Sequence, residues 1–370
     1  MHPENHPSDD ISPLPSEEPR RYTLDDWSLR ERIMASIIFV AVILGIVLIG
    51  VVVPSKASQY PDYDPLHYVL IETYSGPSFF DKFNYFSDED PTGGFVQYVN
   101  QPTAQAFNLT TTTPHNTTIL QVDTTTHNPT HGRSSVRIES KRTYDAGLFI
   151  FDILHTPHGC GTWPALWLTD GYNWPANGEI DVLEAVNNGT MGNMVSLHTT
   201  EGCKMDVERK QTGSAGFNIG CDQGVSGCGV MGGPETFGEE MNRNEGGIYA
   251  LELRPDGIRT WFFARASIPP DLIADEHTSS RSKSSSPDPS TWGPALADFP
   301  GTNCDTLSHF RNLSIIVNID LCGEYAGDLE VYKEQFGCPR ECRQFVARNP
   351  GMFTEAYWEF SGFRVYQGYG

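Results

Sequence analysis

Basic residues are scarce in this 370-residue chain: 25 lysines and arginines stand against 47 aspartates and glutamates, for a formal net charge of −22. That deficit leaves no cationic face with which to grip phosphates, so nucleic acid is not an expected partner. Three common catalytic signatures are also missing: the phosphate loop ending in Gly-Lys-Ser/Thr, the HExxH zinc pair and the G-x-S-x-G nucleophile elbow. One dinucleotide-like glycine pattern, "GCGVMG" at 227–232, has no apolar strand before it and Pro234 just after it. With Cys221 and Cys228 in attendance it reads as a disulfide-bound loop. "CPREC", 338–342, has a tight cysteine spacing, but no second pair with histidine partners follows, so no metal is expected. No cofactor motif and no internal repeat stand out. Nothing calls for a partner chain either, and a monomer is expected.

Long apolar runs are absent but for one, "IMASIIFVAVILGIVLIGVVV" at 33–53, which carries no charge. At about 1.5 Å of rise per residue, such a helix spans roughly the 30 Å hydrocarbon core of a bilayer. The alternative is a cleaved signal peptide, for which "SKA" at 55–57 offers small residues. Signal h-regions are shorter, however, and follow short basic leaders, whereas an acidic, proline-rich leader of 32 residues stands here. A retained anchor is therefore expected. Arg20, Arg21, Arg30 and Arg32 precede the run, and Lys56 and Lys82 are the first basic residues after it. The positive-inside rule then places the N-terminus in the cytosol and the bulk of the chain outside, as in a single-pass type II membrane protein at the cell surface.

All eight cysteines, from Cys160 to Cys342, lie on the outer side, where an oxidising compartment allows up to four disulfides in any of 105 pairings. Four glycosylation sequons, at Asn108, Asn116, Asn188 and Asn312, lie there too, while Pro129 disqualifies Asn128. The expected organisation is a cytoplasmic tail over 1–32, a membrane helix over 33–53, an exposed stalk over 54–67 and one folded domain over 68–370.

That domain is rich in turn formers and aromatics, with 35 glycines, 26 prolines, 20 phenylalanines, 15 tyrosines and 7 tryptophans in the whole chain. Short alternating runs such as "SSVRIES", "AGLFIFDIL", "NMVSLHT", "GIYALELR" and "LSIIVNIDL" recur between turn clusters. The pattern is that of an all-β jelly-roll sandwich with few helices. "EHTSSRSKSSSPDPST", 276–291, interrupts it as a flexible Ser/Pro loop.

One strand is chemically unusual. "GEIDVLEAV", 178–186, sets Glu179 and Asp181 on one face by period-2 alternation, but a regular pleat sends Glu184 to the other. A β-bulge that lets Val182 and Leu183 share one place in the pleat returns all three acids to one face. Two glutamates held about 5 to 5.5 Å apart are what retaining glycoside hydrolysis needs, one as nucleophile and one as acid/base. Their mutual repulsion keeps one protonated, and the aspartate between them can tune the nucleophile. A solvated acidic strand or part of a calcium site are the other uses of such a cluster. Trp163, Trp167 and Trp174 stand close upstream, and sugar rings stack on such faces, although each tryptophan could equally serve the core. In "VSLHT", Ser196 and His198 alternate against Val195 and Leu197, which suits a cleft-facing His198.

"WPALW", "NWPANGEIDVLEAVN" and "VSLHTTEGC" together resemble the laminarinase-type β-glucanases of glycoside hydrolase family sixteen, in the bulged E-x-D-x-x-E subgroup, and most of all its fungal members. The likeness continues through "DGIRTWFFARASIP", "IIVNIDLCGEYAG" and "EAYWEFSGFRVYQ". It implies a jelly roll with a concave cleft, Glu179 as nucleophile, Asp181 as its assistant, Glu184 as acid/base, and Trp163, Trp167, Trp174 and His198 as substrate-binding residues. The implied activity is endo-acting retaining hydrolysis of β-1,3-linked or mixed-linkage β-1,3(4)-glucans. A cell-wall β-glucan transglycosylase and a non-catalytic glucan-binding module are the alternatives. The chain departs from the family at Leu253 and Tyr325, where relatives often carry tryptophan, so subsite affinities are what the resemblance describes least.

Overall fold

A computed structural model of the chain describes residues 27–57, 60–222, 224, 227–273 and 286–370, with the backbone alone described over 47–57. Two compact units divide it, residues 1–56 and 57–370. A helix runs over Leu29–Ala57, all but its last residue in the first unit. Among the described residues no helix is long and apolar enough to cross a membrane. The side chains of 47–57, which include the end of the expected span, lie outside the described residues, as do 1–26 of the expected tail and 274–285 of the Ser/Pro loop.

The second unit is a β-sandwich. Its site sheet has the strand order Ser214–Ala215, Cys228–Met231, Met194–His198, Glu179–Glu184, Thr162–Thr169, Leu313–Leu321, Arg137–Tyr144 and Phe83–Phe86. Its back sheet runs Ala297–Pro300, Gly257–Ala264, Gly247–Arg254, Gly147–His155, Tyr357–Tyr369, Thr118–Gln121 and Thr110–Thr112, with His67–Tyr74 also on Tyr357–Tyr369. Strand pairs within both sheets are antiparallel, as for the long central pairing of Gly247–Arg254 with Gly147–His155. Alternation sends Ile180, Leu166, Leu168, Val195 and Leu197 from the site sheet inward to meet Phe149, Phe151, Tyr249, Leu251 and Phe363 from the back sheet in one core. Each buried Leu, Ile, Val or Phe side chain contributes roughly 1.5–3 kcal/mol by leaving water. Leu253 belongs to this core at 1% exposure, so that departure from the family concerns packing and not a sugar subsite.

Four disulfides take up all eight cysteines: Cys160–Cys338, Cys203–Cys304, Cys221–Cys228 and Cys322–Cys342. "CPREC" therefore contributes to two different bridges. "GCGVMG" is disulfide-bound as expected, but it is not a loop: Cys228–Met231 is a strand of the site sheet beside Met194–His198. The cause is tertiary, since two apolar side chains in four residues are a weak strand signal until a neighbour supplies the ladder.

The expected stalk also differs from its sequence reading. From Tyr60 onward it lies against the sandwich: the Lys210 ammonium sits 4.0 Å from the Tyr60 ring, and the Arg259 guanidinium 4.0 Å from that of Tyr63. Arg254 donates from Nη1 to the Asp64 carbonyl at 2.9 Å. Cations over aromatic faces attract through the ring quadrupole. A polar, tyrosine-containing segment is thereby held where composition suggested an exposed linker. Of the sequon asparagines, Asn108, Asn116 and Asn312 are exposed and Asn188 is half-buried.

Candidate active site

The acidic strand Glu179–Glu184 lies between Thr162–Thr169 and Met194–His198. Against Met194–His198 its register is regular from Glu179↔His198 to Asp181↔Ser196 and then shifts, so that Glu184 pairs with Met194. Val182 and Leu183 thus share the place opposite Val195, and both are fully buried. The bulge returns Glu184 to the outward face with Glu179 and Asp181, as the spacing of the acids required.

Each acid has a distinct set of partners. Trp163 donates its indole N–H to Glu184 Oε1 at 2.8 Å. Trp174, 45% exposed, lies near enough to the Glu179 side chain to favour its charged form. His198 places Nε2 3.1 Å from Asp181 Oδ2 and donates from Nδ1 to the Gly224 carbonyl at 3.0 Å. Burial opposes charge on His198, but its hydrogen bond to Asp181 and the negative charges of Asp181 and Glu179 outweigh that and push it up to about 10, so it is an imidazolium at neutral pH. Burial first, and the Asp181 charge second, raise Glu179 to about 8 and Glu184 to about 7. Two raised, interacting carboxyls titrate as a unit, and near neutrality the pair holds one proton and one charge. An acid and a nucleophile side by side require that state.

The three tryptophans all face the site, and none is a core residue. Trp167 pairs with Asp181 in register, donates from Nε1 to Asn318 Oδ1 at 2.8 Å and carries the Arg137 guanidinium 4.9 Å from its ring. Tyr325, the second departure from the family, meets Trp163 edge-on at 5.6 Å and so supports the acid's indole partner. Sequence reasoning missed Arg137, Asn318, Gly224 and Asn193. Arg137 and Asn318 did sit at alternating positions of expected strands, but only the pairing of Asn318 with Arg137 and with Ala165 brings them to the tryptophans.

Among the described residues two groups have metal-ligand spacing, Glu179 with Asp181 and His198, and His155 with His158 and Glu355. In the first, the ring N–H of the imidazolium occupies the gap to Asp181. In the second, His155 donates from Nδ1 to the Tyr357 carbonyl at 2.8 Å, and the Asn242 amide at 3.0 Å takes the Nε2 lone pair that an ion would need.

A two-sheet β-sandwich with paired carboxyls, an aspartate between them and an indole beside each defines a glycoside hydrolase. Residues 83–366 match the family described as XgeA-like, catalytic GH16 domain, and the chain belongs to that family. A probable glycosidase of Schizosaccharomyces pombe is 41% identical over 317 residues, covering 84% of this chain and 71% of the relative. A probable endo-1,3(4)-β-glucanase of Aspergillus niger is 37% identical over 87% of this chain, but the match spans only 42% of that protein's length. Among solved structures, laminarinase 16A of Phanerochaete chrysosporium, with 6-O-glucosyl-laminaritriose in its donor and acceptor sites, is 40% identical at a TM-score of 0.75, covering 82% of this chain and 100% of that one. An elongating family 16 β-1,3-glucosyltransferase is 37% identical at a TM-score of 0.74, covering 81% and 100%.

Proposed function

We propose that the domain is an endo-acting, retaining hydrolase of β-1,3-linked or mixed-linkage β-1,3(4)-glucans. The observation that carries this is the bulged strand, which sets Glu179, Asp181 and Glu184 on one face with Trp174 beside the first and Trp163 bonded to the last. Glu179 attacks the anomeric carbon while Glu184 protonates the departing oxygen, and Glu184 then deprotonates the water that releases the sugar. At rest the higher value, about 8 against about 7, leaves the shared proton on Glu179, and the reactive form is the one in which it has passed to Glu184 while the imidazolium of His198 stabilises the Glu179 carboxylate. Asp181 holds His198 in place. Trp167, with Arg137 beside it, offers a sugar platform along the sheet.

Azide tests the roles. Glu179→Ala should lose turnover and regain it with azide, giving a glycosyl azide of inverted configuration, while Glu184→Ala should give one of retained configuration. An inverted sugar as the wild-type product would refute both assignments.

Transglycosylation, in which the glycosyl-enzyme passes to a second glucan, is favoured as a second reading by the likeness to an elongating glucosyltransferase. Sizing the products of laminarin separates them, since hydrolysis gives short oligomers and transfer gives lengthened chains.

We further propose that residues 33–53 anchor the chain in a membrane with the sandwich outside, acting as a monomer. Four disulfides suit an oxidising compartment. Membranes from expressing cells should keep the full-length chain through alkaline washing, and glycosidase should lower its mass. A soluble product beginning near Ser58 would establish cleavage instead.

A further inference from the structure

The bulge that aims Glu184 leaves a gap in the ladder. Where Val182 and Leu183 together face Val195, the register shifts, and the Val182 carbonyl and the Glu184 N–H each take a side chain as partner. Asn193 supplies both. It is fully buried, its Oδ1 accepts from Glu184 N–H at 2.8 Å, and its Nδ2 donates to the Val182 carbonyl at 2.9 Å. These partners settle which end of the amide is which, because the reverse orientation would face donor with donor and acceptor with acceptor.

Asn193 is itself held from behind. Its backbone N–H donates to Thr236 Oγ1 at 2.9 Å, and its carbonyl accepts from Gly232 N–H at 2.8 Å. The residue before it, Gly192, has φ +94, and a Cβ there would come within 2.2 Å of the Gly233 carbonyl oxygen. Only glycine lets the chain pass so close. The carboxamide is thus a fixed rung built from a side chain. A neutral amide, with acceptor and donor in one plane, is the side chain suited to bridging one N–H and one C=O.

We propose that Asn193 is a positioning residue for the acid/base step: it fixes the backbone at Glu184 and so aims the carboxyl that Trp163 holds at its other end. This rests on Glu184 being the acid/base. Misplacing a catalytic group by about 1 Å can cost about 100-fold in rate, and the loss should fall on the step that needs proton donation.

The full-length chain carrying Asn193→Ala or Asn193→Asp is assayed on laminarin, whose leaving group needs a proton, and on dinitrophenyl β-laminaribioside, whose leaving group does not. For the second substrate the pre-steady-state burst is read, since it reports glycosylation alone. Asn193→Ala should lower kcat on laminarin by about 100-fold with little change in KM, and leave the burst rate within about threefold of wild type. Asn193→Asp keeps the acceptor for Glu184 N–H and should lose less, about tenfold, with the same selectivity for laminarin. If Asn193→Ala does not fold, Asn193→Asp decides alone. Equal loss on both substrates, or no loss on either, overturns the proposal. Glu184→Gln is run beside them. If it too loses both substrates equally, the acid/base assignment falls and the proposal with it; if it spares the burst and neither Asn193 variant does, the proposal alone falls.

Discussion

Replacing Glu184 by Gln should stabilise the sandwich at alkaline pH and leave it unchanged at acid pH. Glutamine keeps the shape and still accepts the 2.8 Å bond from Trp163. What it removes is a carboxyl that burial and Asp181 raise to about 7 from an ordinary 4.5. Because the folded state holds that proton more tightly than the unfolded chain, its contribution is complete below the ordinary glutamate range and is lost as pH rises through about 7. At about 1.4 kcal/mol per pKa unit the ionised wild type gives up roughly 3 kcal/mol, and halving for screening at this partly exposed carboxyl leaves about 1.5 kcal/mol. Calorimetry should then show Glu184→Gln melting a few degrees above wild type at pH 8, on the usual scale of about 2–4 °C per kcal/mol in a domain of this size class. At pH 4, where both carry no charge, the two should coincide. An equal gain at both pH values would refute the electrostatic origin, and a gain confined to acid pH would reverse its sign.

Trp163→Phe removes the N–H that favours the charged form of Glu184, so the alkaline limb of the kcat/KM profile should move to higher pH; a shift the other way would contradict the donor role. Deleting Leu183 should leave a folded protein with at least about tenfold lower kcat, because the bend that aims Glu184 disappears while the alternation survives; unaltered kcat would refute the role of the bulge. Tyr63→Ala should lower stability by about 1–2 kcal/mol in a urea titration through loss of the ring under Arg259, with KM unchanged, and no change would mean that the segment before the first strand is a free stalk after all.

The acids were legible because their signal is local. A three-residue step where alternation demands two can be reconciled with one face only by an extra residue, and that holds whatever surrounds the strand. The tryptophans just upstream were visible in the same way, by proximity. Their roles were not. Trp163 becomes the partner of Glu184, and Trp167 the neighbour of Arg137, only because Thr162–Thr169 pairs on both sides, with the acidic strand and with Leu313–Leu321. The same holds for the strand Cys228–Met231, which carries too little local signal until Met194–His198 offers it a ladder.

The sequence by itself determined the class of fold, the outward face shared by Glu179, Asp181 and Glu184, the need for a bulge between them, and the even count of cysteines suited to bridges. Tertiary structure alone decided which cysteines join, since 105 pairings are compatible with the count and only strand order brings Cys203 to Cys304 across 101 residues. It alone decided that Tyr60 and Tyr63 are packed, because their cations arrive from Lys210 and Arg259, far along the chain. It also decided that an unremarkable asparagine mends the ladder behind Glu184. Alternation and spacing are properties of neighbours in the chain, whereas burial, charge and a completed hydrogen bond depend on what folding brings alongside.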